Sequence, residues 1–297
     1  MANGEAVGSI AELWRFPVKS MQGERHQEVE VTTRGVLGDR AYALIDRDTG
    51  KVVSAKSVKL FPHLSDCRAA FVEPPRREGA MPPVLISLPD GTSVRSDAAD
   101  VDRTLSAYFG RNVTLGRAAP EDFTIDQYHP DVEGADPGGH RDTVVAQKLG
   151  SALFAAVGMD SPVPVGSFLD VFPLSVMTTS TLARLSELRP QSRFEPSRFR
   201  MNVIVGTGRP GFVENDWVGR TLELGNGVQL GVAMPDPRCV MTTLAQGDLP
   251  QDTDVLRTLV RHNTIEVGEL GEHPCAGVYA VVAAPGTVRT GDRIVLH

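Results

Sequence analysis

The frequency of its turns constrains this chain more than any other feature. "AYALIDRDTGKVVSA" sets Asp-Thr-Gly between two apolar or alternating runs, "VLISLPDGTSV" sets Pro-Asp-Gly, "TLELGNGVQLGV" sets Gly-Asn-Gly, and "VYAVVAAPGTVRTGDRIVL" sets Pro-Gly-Thr. Glycine, asparagine and aspartate accept the positive φ of tight strand connections, and proline presets a turn's first residue. Each pattern therefore predicts strands meeting at a tight turn. Helical periods are few and short. Val101, Leu105, Tyr108 and Phe109 share a face in "SDAADVDRTLSAYFG", with Ser96 or Asp97 as the expected cap and Gly110 as the stop. "TTSTLARLSELRP" puts Leu182, Leu185 and Leu188 together and ends at Pro190, and "QDTDVLRTLVRHN" does the same with Val255, Leu256, Leu259 and Val260. Helices and strands do not alternate regularly, so partly closed antiparallel sheets are expected rather than a doubly wound parallel sheet.

At 297 residues the chain exceeds one average domain. A stretch from about 117 to 150, "RAAPEDFTIDQYHPDVEGADPGGHRDT", is rich in Pro, Gly and Asp and follows neither the helical nor the strand period. It reads as a boundary or a long functional loop. A net charge of −7 leaves no global positive field for a polyanion, which argues against nucleic-acid and anionic-membrane binding. With no signal-peptide pattern and no apolar run of spanning length, a cytoplasmic protein is expected. Three widely spaced cysteines, Cys67, Cys239 and Cys275, suit neither a disulfide framework nor a zinc ribbon.

Gly206, Gly208 and Gly211 match G-x-G-x-x-G after an apolar run, yet Pro210 and "FVENDW" carry no helical period and no βαβ unit surrounds them. The match is read as a loop. His273 and Cys275 lack partners at zinc spacing and are likewise read as a structural loop. Arg200 and Asn202 open the run "MNVIVG", where strand alternation would point both side chains to one side and offer a guanidinium fork and an amide to one ligand. Lys19 and Ser20 follow Pro17 at a strand end, and Arg40 stands at the entry to another. Cys239, in "MPDPRCVMTTLAQGD", lies beside the fixed charge of Arg238 in a proline-flanked turn that keeps its sulfur out of a core. A thiolate there could attack, carry sulfur or bind a soft metal.

The ordered set "ELWRFPVKSMQGE", "GVLGDRAYALID", "SRFRMNVIV", "ENDWVGRTLELG", "PDPRCVMTTLAQGD" and "PGTVRTGDRIVL" resembles the MOSC family, the molybdenum cofactor sulfurase C-terminal type, in the branch that also carries a MOSC N-terminal β-barrel domain. The resemblance covers nearly the whole chain. It implies a mainly β (α+β) fold, with an N-terminal β-barrel-like domain over 5–120 and a MOSC β-barrel domain with a few short helices over 121–297. It also implies a molybdenum–molybdopterin cofactor with Cys239 as the metal ligand, and pterin or phosphate contacts from Lys19, Ser20, Arg40, Thr178, Arg200, Asn202 and Arg238. The activity implied is reduction of N–O bonds in amidoximes or hydroxylamines. No C-x₄-C-x₂-C cluster set accompanies these motifs, so electrons would come from a separate ferredoxin or flavoprotein reductase. Two alternatives remain open at this point: a sulfur carrier with a persulfide on Cys239, and a non-catalytic molybdopterin-binding or storage module.

Overall fold

The computed structural model describes residues 4–297. Seven strands close into a barrel in the order Leu174–Thr178, Val203–Gly206, Glu5–Arg15, Arg293–Leu296, Thr221–Leu224, Val228–Pro237 and Glu272–Ala284, and the last pairs back with the first. Every neighbouring pair is antiparallel except the first two, which are parallel. The parallel pair needs a crossover, supplied by helices Thr179–Leu188 and Pro196–Phe199. Alternate residues fill the barrel: Leu222 and Leu224, Val228, Leu230 and Val232, Val278 and Ala280, Ile294 and Leu296 all join one buried cluster. That period of two is the physical reason these segments form strands with one apolar face.

The strand nearest the N-terminus is central to this barrel, lying between Val203–Gly206 and Arg293–Leu296. A division at 120/121 therefore separates stretches of sequence but not sheets. Residues 18–113 build a second core around Tyr42, Phe61, Leu64, Ile86 and Leu105, held by small sheets that include Arg68–Phe71, Val84–Ser87 and Ser93–Arg95. Met241 belongs to this second core and Cys239 packs against it. The Arg-Cys segment is thereby clamped between the two cores.

Several local expectations change. Pro-Gly-Thr does not fold one strand back on the other, because Gly286–Arg289 pairs with Glu28–Thr32 and Val288 packs with Val29 and Val31. Helix Val101–Phe109 starts after Asp100, while Ser96 accepts a hydrogen bond from the Val84 amide and Asp97 pairs with Arg95. Gly110 closes that helix in the left-handed conformation, as expected. The segment read as aperiodic contains a six-pair hairpin, Thr124–His129 with Thr143–Lys148. Its inward positions include Gln127 beside Ile125, which hides the apolar alternation. Gly206, Gly208 and Gly211 end a strand and lead into a short 3-10 turn, Val213–Trp217, so no phosphate-binding helix begins there. His273 and Cys275 lie in strand Glu272–Ala284 rather than a loop.

Candidate active site

A cleft between the two cores gathers Lys19, Ser20, Arg40, Lys56, Asp170, Arg200, Asn202, Asp236, Arg238 and Cys239. Its walls are strained into place. Among the described residues five non-glycine positions have positive φ, and three of them, Ser20 (69°), Arg40 (47°) and Arg200 (56°), line this cleft. Such conformations persist only where the surroundings enforce them and gather at functional sites. The enforcement is visible: the Ser20 hydroxyl accepts from the Ala55 amide at 3.0 Å, and the Arg40 amide donates to the Phe16 carbonyl at 2.7 Å. Both the Arg40 and Arg200 guanidinium groups lie over the Phe16 ring, 4.5 and 4.4 Å from its centre.

Arg200 reaches the cleft by a route other than strand alternation. It caps helix Pro196–Phe199 in the left-handed conformation, and Asn202 precedes the strand that begins at Val203. Asn202 accepts from the Ser175 amide and hydroxyl, both at 3.2 Å, and donates to Asp39 at 3.0 Å. Asp39 also holds Arg40, so Asn202 orients that cation through a shared carboxylate. Thr178 is not in the cleft. It caps helix Thr179–Leu188 by accepting from the Thr181 amide, and its hydroxyl donates to buried Glu214 at 2.7 Å.

Five cations and two carboxylates line the cleft, an excess of three positive charges in a chain whose net charge is −7. Asp170 bridges Lys19 and Lys56. Burial opposes ionisation of Asp170, but the two lysines outweigh it and hold the carboxylate well below its usual range. Burial, only partly countered by Asp170, brings Lys19 down to about 8. Burial and then Arg40 bring Arg200 down to about 9, and burial raises Asp236 to about 6 despite Arg238. Two buried guanidinium nitrogens on the walls have no hydrogen-bond partner among the described residues, Arg200 Nη2 and Arg238 Nε. Buried donors are almost always satisfied, so two orphaned guanidinium nitrogens around one cleft fit a bound anion.

Among the three thiols, Cys239 alone reaches the cleft. Burial drives Cys67 and Cys275 up to about 12, which leaves them inert. Cys239 begins the short 3-10 turn Val240–Thr243 and stands where the cleft meets a second, more apolar pocket of about 330 Å³. Val145, Leu149, Leu153, Met234 and Leu256 line that pocket, together with His129, Asp136 and His140. For comparison, roughly 150 Å³ holds a benzene molecule.

The MOSC domain model matches residues 165–295, and the MOSC N-terminal beta barrel domain model matches residues 7–111. The chain belongs to the MOSC family. Human mitochondrial amidoxime-reducing component 1 is 25% identical, the alignment covering 98% of this chain and 84% of that one, and human mitochondrial amidoxime reducing component 2 has the same identity and coverage. Among solved structures, the YUAD protein of Bacillus subtilis aligns over 98% of this chain and 95% of its own, at 14% identity and a TM-score of 0.44. Among the described residues no helix is long and apolar enough to cross a membrane.

The cleft of this MOSC protein also contains residues that sequence reasoning missed. Lys56 and Asp170 sit in segments without a motif, and only the fold makes them a pair. Asp236 carried a usable signal: two residues before Arg238 at the end of a strand, it shares that arginine's side and binds it.

Proposed function

We propose that this chain is a molybdenum-cofactor oxidoreductase that reduces N–O bonds of N-hydroxylated small molecules, with electrons from a separate donor protein. The observation that carries the reading is the convergence of orphaned Arg200 and Arg238 nitrogens on the cleft that exposes Cys239. A phosphate monoester needs several charge-assisted donors, and Lys19, Lys56, Arg40, Arg200 and Arg238 can provide them. Cys239 offers a thiolate there, a soft donor that suits molybdenum. Ser20 and Asn202 set the neighbouring backbone and cation, and so orient a bound pterin. When bound, the cofactor supplies a two-electron couple; two electrons and two protons convert an N-hydroxyl group to an N–H group and water.

The remaining task of the chain is positioning. The apolar pocket would take the organic body of a substrate and shed water from it, while the cations of the cleft would hold the cofactor's anionic end. The names of the human relatives, both amidoxime-reducing components, support this choice of substrate class. Molybdenum per chain, measured on protein made in cofactor-producing cells, tests it together with turnover of an aryl amidoxime by chemically reduced viologen. Near one metal per chain with turnover is expected. Metal-replete protein that never reduces an amidoxime or a hydroxylamine would refute the activity.

A further inference from the structure

The tip of the hairpin 124–148 brings three potential metal ligands together. Asp136 Oδ1 lies 3.5 Å from His129 Nδ1, and Asp136 Oδ2 lies 2.8 Å from His140 Nδ1. The two imidazole rings are 5.2 Å apart between centres, and one donor atom from each of the three side chains lies within 4.8 Å of the others. The same nitrogen of each ring therefore faces one carboxylate.

The backbone holds this arrangement from both sides. His129 closes the strand ladder opposite Thr143, which fixes the first ring to the rigid part of the hairpin. On the other side, the Gly139 amide donates to the Asp136 carbonyl at 2.9 Å and the His140 amide donates to Asp136 Oδ2 at 3.1 Å. The outer nitrogen of His129, Nε2, lies 3.4 Å from the Gln127 amide nitrogen, and with Nδ1 on a metal Nε2 carries the proton, so the Gln127 amide would turn its oxygen to accept it. A metal-binding imidazole is oriented by an acceptor for its outer N–H, a role the Gln127 side-chain oxygen can fill after that turn.

We propose that His129, Asp136 and His140 form a divalent transition-metal site of the zinc class, with two nitrogen donors, one carboxylate and water in the remaining position. The donor set decides the class. Calcium and magnesium require mostly oxygen ligands, and copper(I) prefers sulfur, whereas two imidazoles and a carboxylate suit zinc and its neighbours. All three residues line the apolar pocket that also reaches Cys239. A metal here fastens the 130–142 loop as a wall of that pocket, and it does so whether or not molybdenum binds at Cys239.

The test uses the full chain carrying Cys239→Ser, so that the thiol does not compete, and titrates it with Zn²⁺ by calorimetry and with Co²⁺ by visible absorption. One site per chain is expected, with cobalt bands of a nitrogen- and oxygen-ligated ion and no sulfur charge-transfer band. His129→Ala, His140→Ala and Asp136→Asn should each weaken binding by about 10-fold to 100-fold or more, since even outer-shell changes cost that much. His63→Ala, which alters another exposed histidine beside an aspartate, should leave it unchanged. Circular dichroism checks that each variant is folded, and bound zinc should slow proteolysis within 130–142 only in chains that keep the three ligands. Absence of a stoichiometric site, or binding that survives both histidine substitutions, would overturn the proposal.

Discussion

On one side of Cys239 the wall is charged and conformationally forced; on the other it is mostly apolar and made from the 124–148 hairpin and its loop, two helices and the barrel strands, with Lys56, Asp170 and Arg238 at the border of both. The cleft draws Lys19, Arg40, Lys56, Arg200 and Arg238 from distant parts of the chain and holds three residues at positive φ. Burying that many cations is costly unless an anion answers them, so this half is built for one ligand in one pose. The pocket carries little such strain. Dispersion and water exclusion, which are weakly directional, govern binding there. On the proposed function, one half holds the cofactor and the other admits a range of organic groups.

The largest effect should come from the residue the two halves share. Cys239→Ala is expected to reduce bound molybdenum and turnover to background while thermal unfolding stays within a few degrees of the parent, because the side chain is only partly packed against the second core. Cys67→Ala and Cys275→Ala should do the reverse. Both thiols are fully buried, so their loss lowers stability and leaves metal content intact. Equal metal loss in all three variants would erase the distinction.

Arg200→Met probes the charged half alone. Loss of a charge-assisted contact of about 1.5 to 3 kcal/mol predicts cofactor affinity weaker by about 10-fold to 150-fold. Without cofactor the same variant should be no less stable than the parent, since Arg200 spends one hydrogen bond on the Met21 carbonyl and leaves Nη2 unpaired. Melting temperatures of the loaded and free forms decide this. An equal drop in both would make Arg200 structural. Val145→Phe probes the other half: overpacking of about 1 to 3 kcal/mol at the pocket wall should lower kcat/KM for a bulky substrate by roughly tenfold without changing molybdenum content.

The pH response should set affinity against stability. With Lys19 at about 8 in the folded chain and about 10.4 unfolded, its charge is present in the cleft below pH 8 and lost above it. Anion affinity should therefore fall by up to about tenfold per pH unit as pH rises past 8. Stability of the cofactor-free fold should move the other way. Between the two values the unfolded chain holds more protons, so this group's contribution rises with pH over that window. Lys19→Gln should flatten both curves, and an unchanged affinity profile in that variant would assign the pH effect elsewhere.

How much of this was legible depended on whether the signal was local. Three of the four turn patterns lie where strands approach one another, because Gly-Asn-Gly and Asp-Gly fix their own backbone. The fourth failed because Gly286–Arg289 found a better partner in a strand more than two hundred residues away. Lys19, Ser20, Arg40, Arg238 and Cys239 were reached through ordered motifs, and the cleft unites them. Arg200 and Asn202 were expected for a reason that the fold replaces, a left-handed cap in place of a strand face. Lys56 and Asp170 could not be found at all, since their pairing exists only after the two cores meet. The His129, Asp136 and His140 group was hidden for a similar reason: it lies in a segment whose polar inward positions concealed its hairpin.

Thr178 gives the smallest effect and the sharpest test of where the charged half ends. A cofactor role was expected for it, yet its hydroxyl is used twice within the barrel wall: it accepts from the Thr181 amide at 3.1 Å and donates to Glu214 at 2.7 Å. Thr178→Ala should cost about 1 kcal/mol for the lost cap, and somewhat more because burial already raises Glu214 and one of its two hydroxyl donors disappears. At roughly 2–4 °C per kcal/mol, that is a drop of a few degrees in melting temperature. Thr178→Ser keeps both hydrogen bonds and should recover most of the loss. Because the threonine lies outside the cleft, the difference in melting temperature between cofactor-loaded and cofactor-free forms should match the parent in both variants. If Thr178→Ala instead narrows that difference while leaving the free form unchanged, the hydroxyl acts on the cofactor, and the charged half extends through the barrel wall to this helix cap.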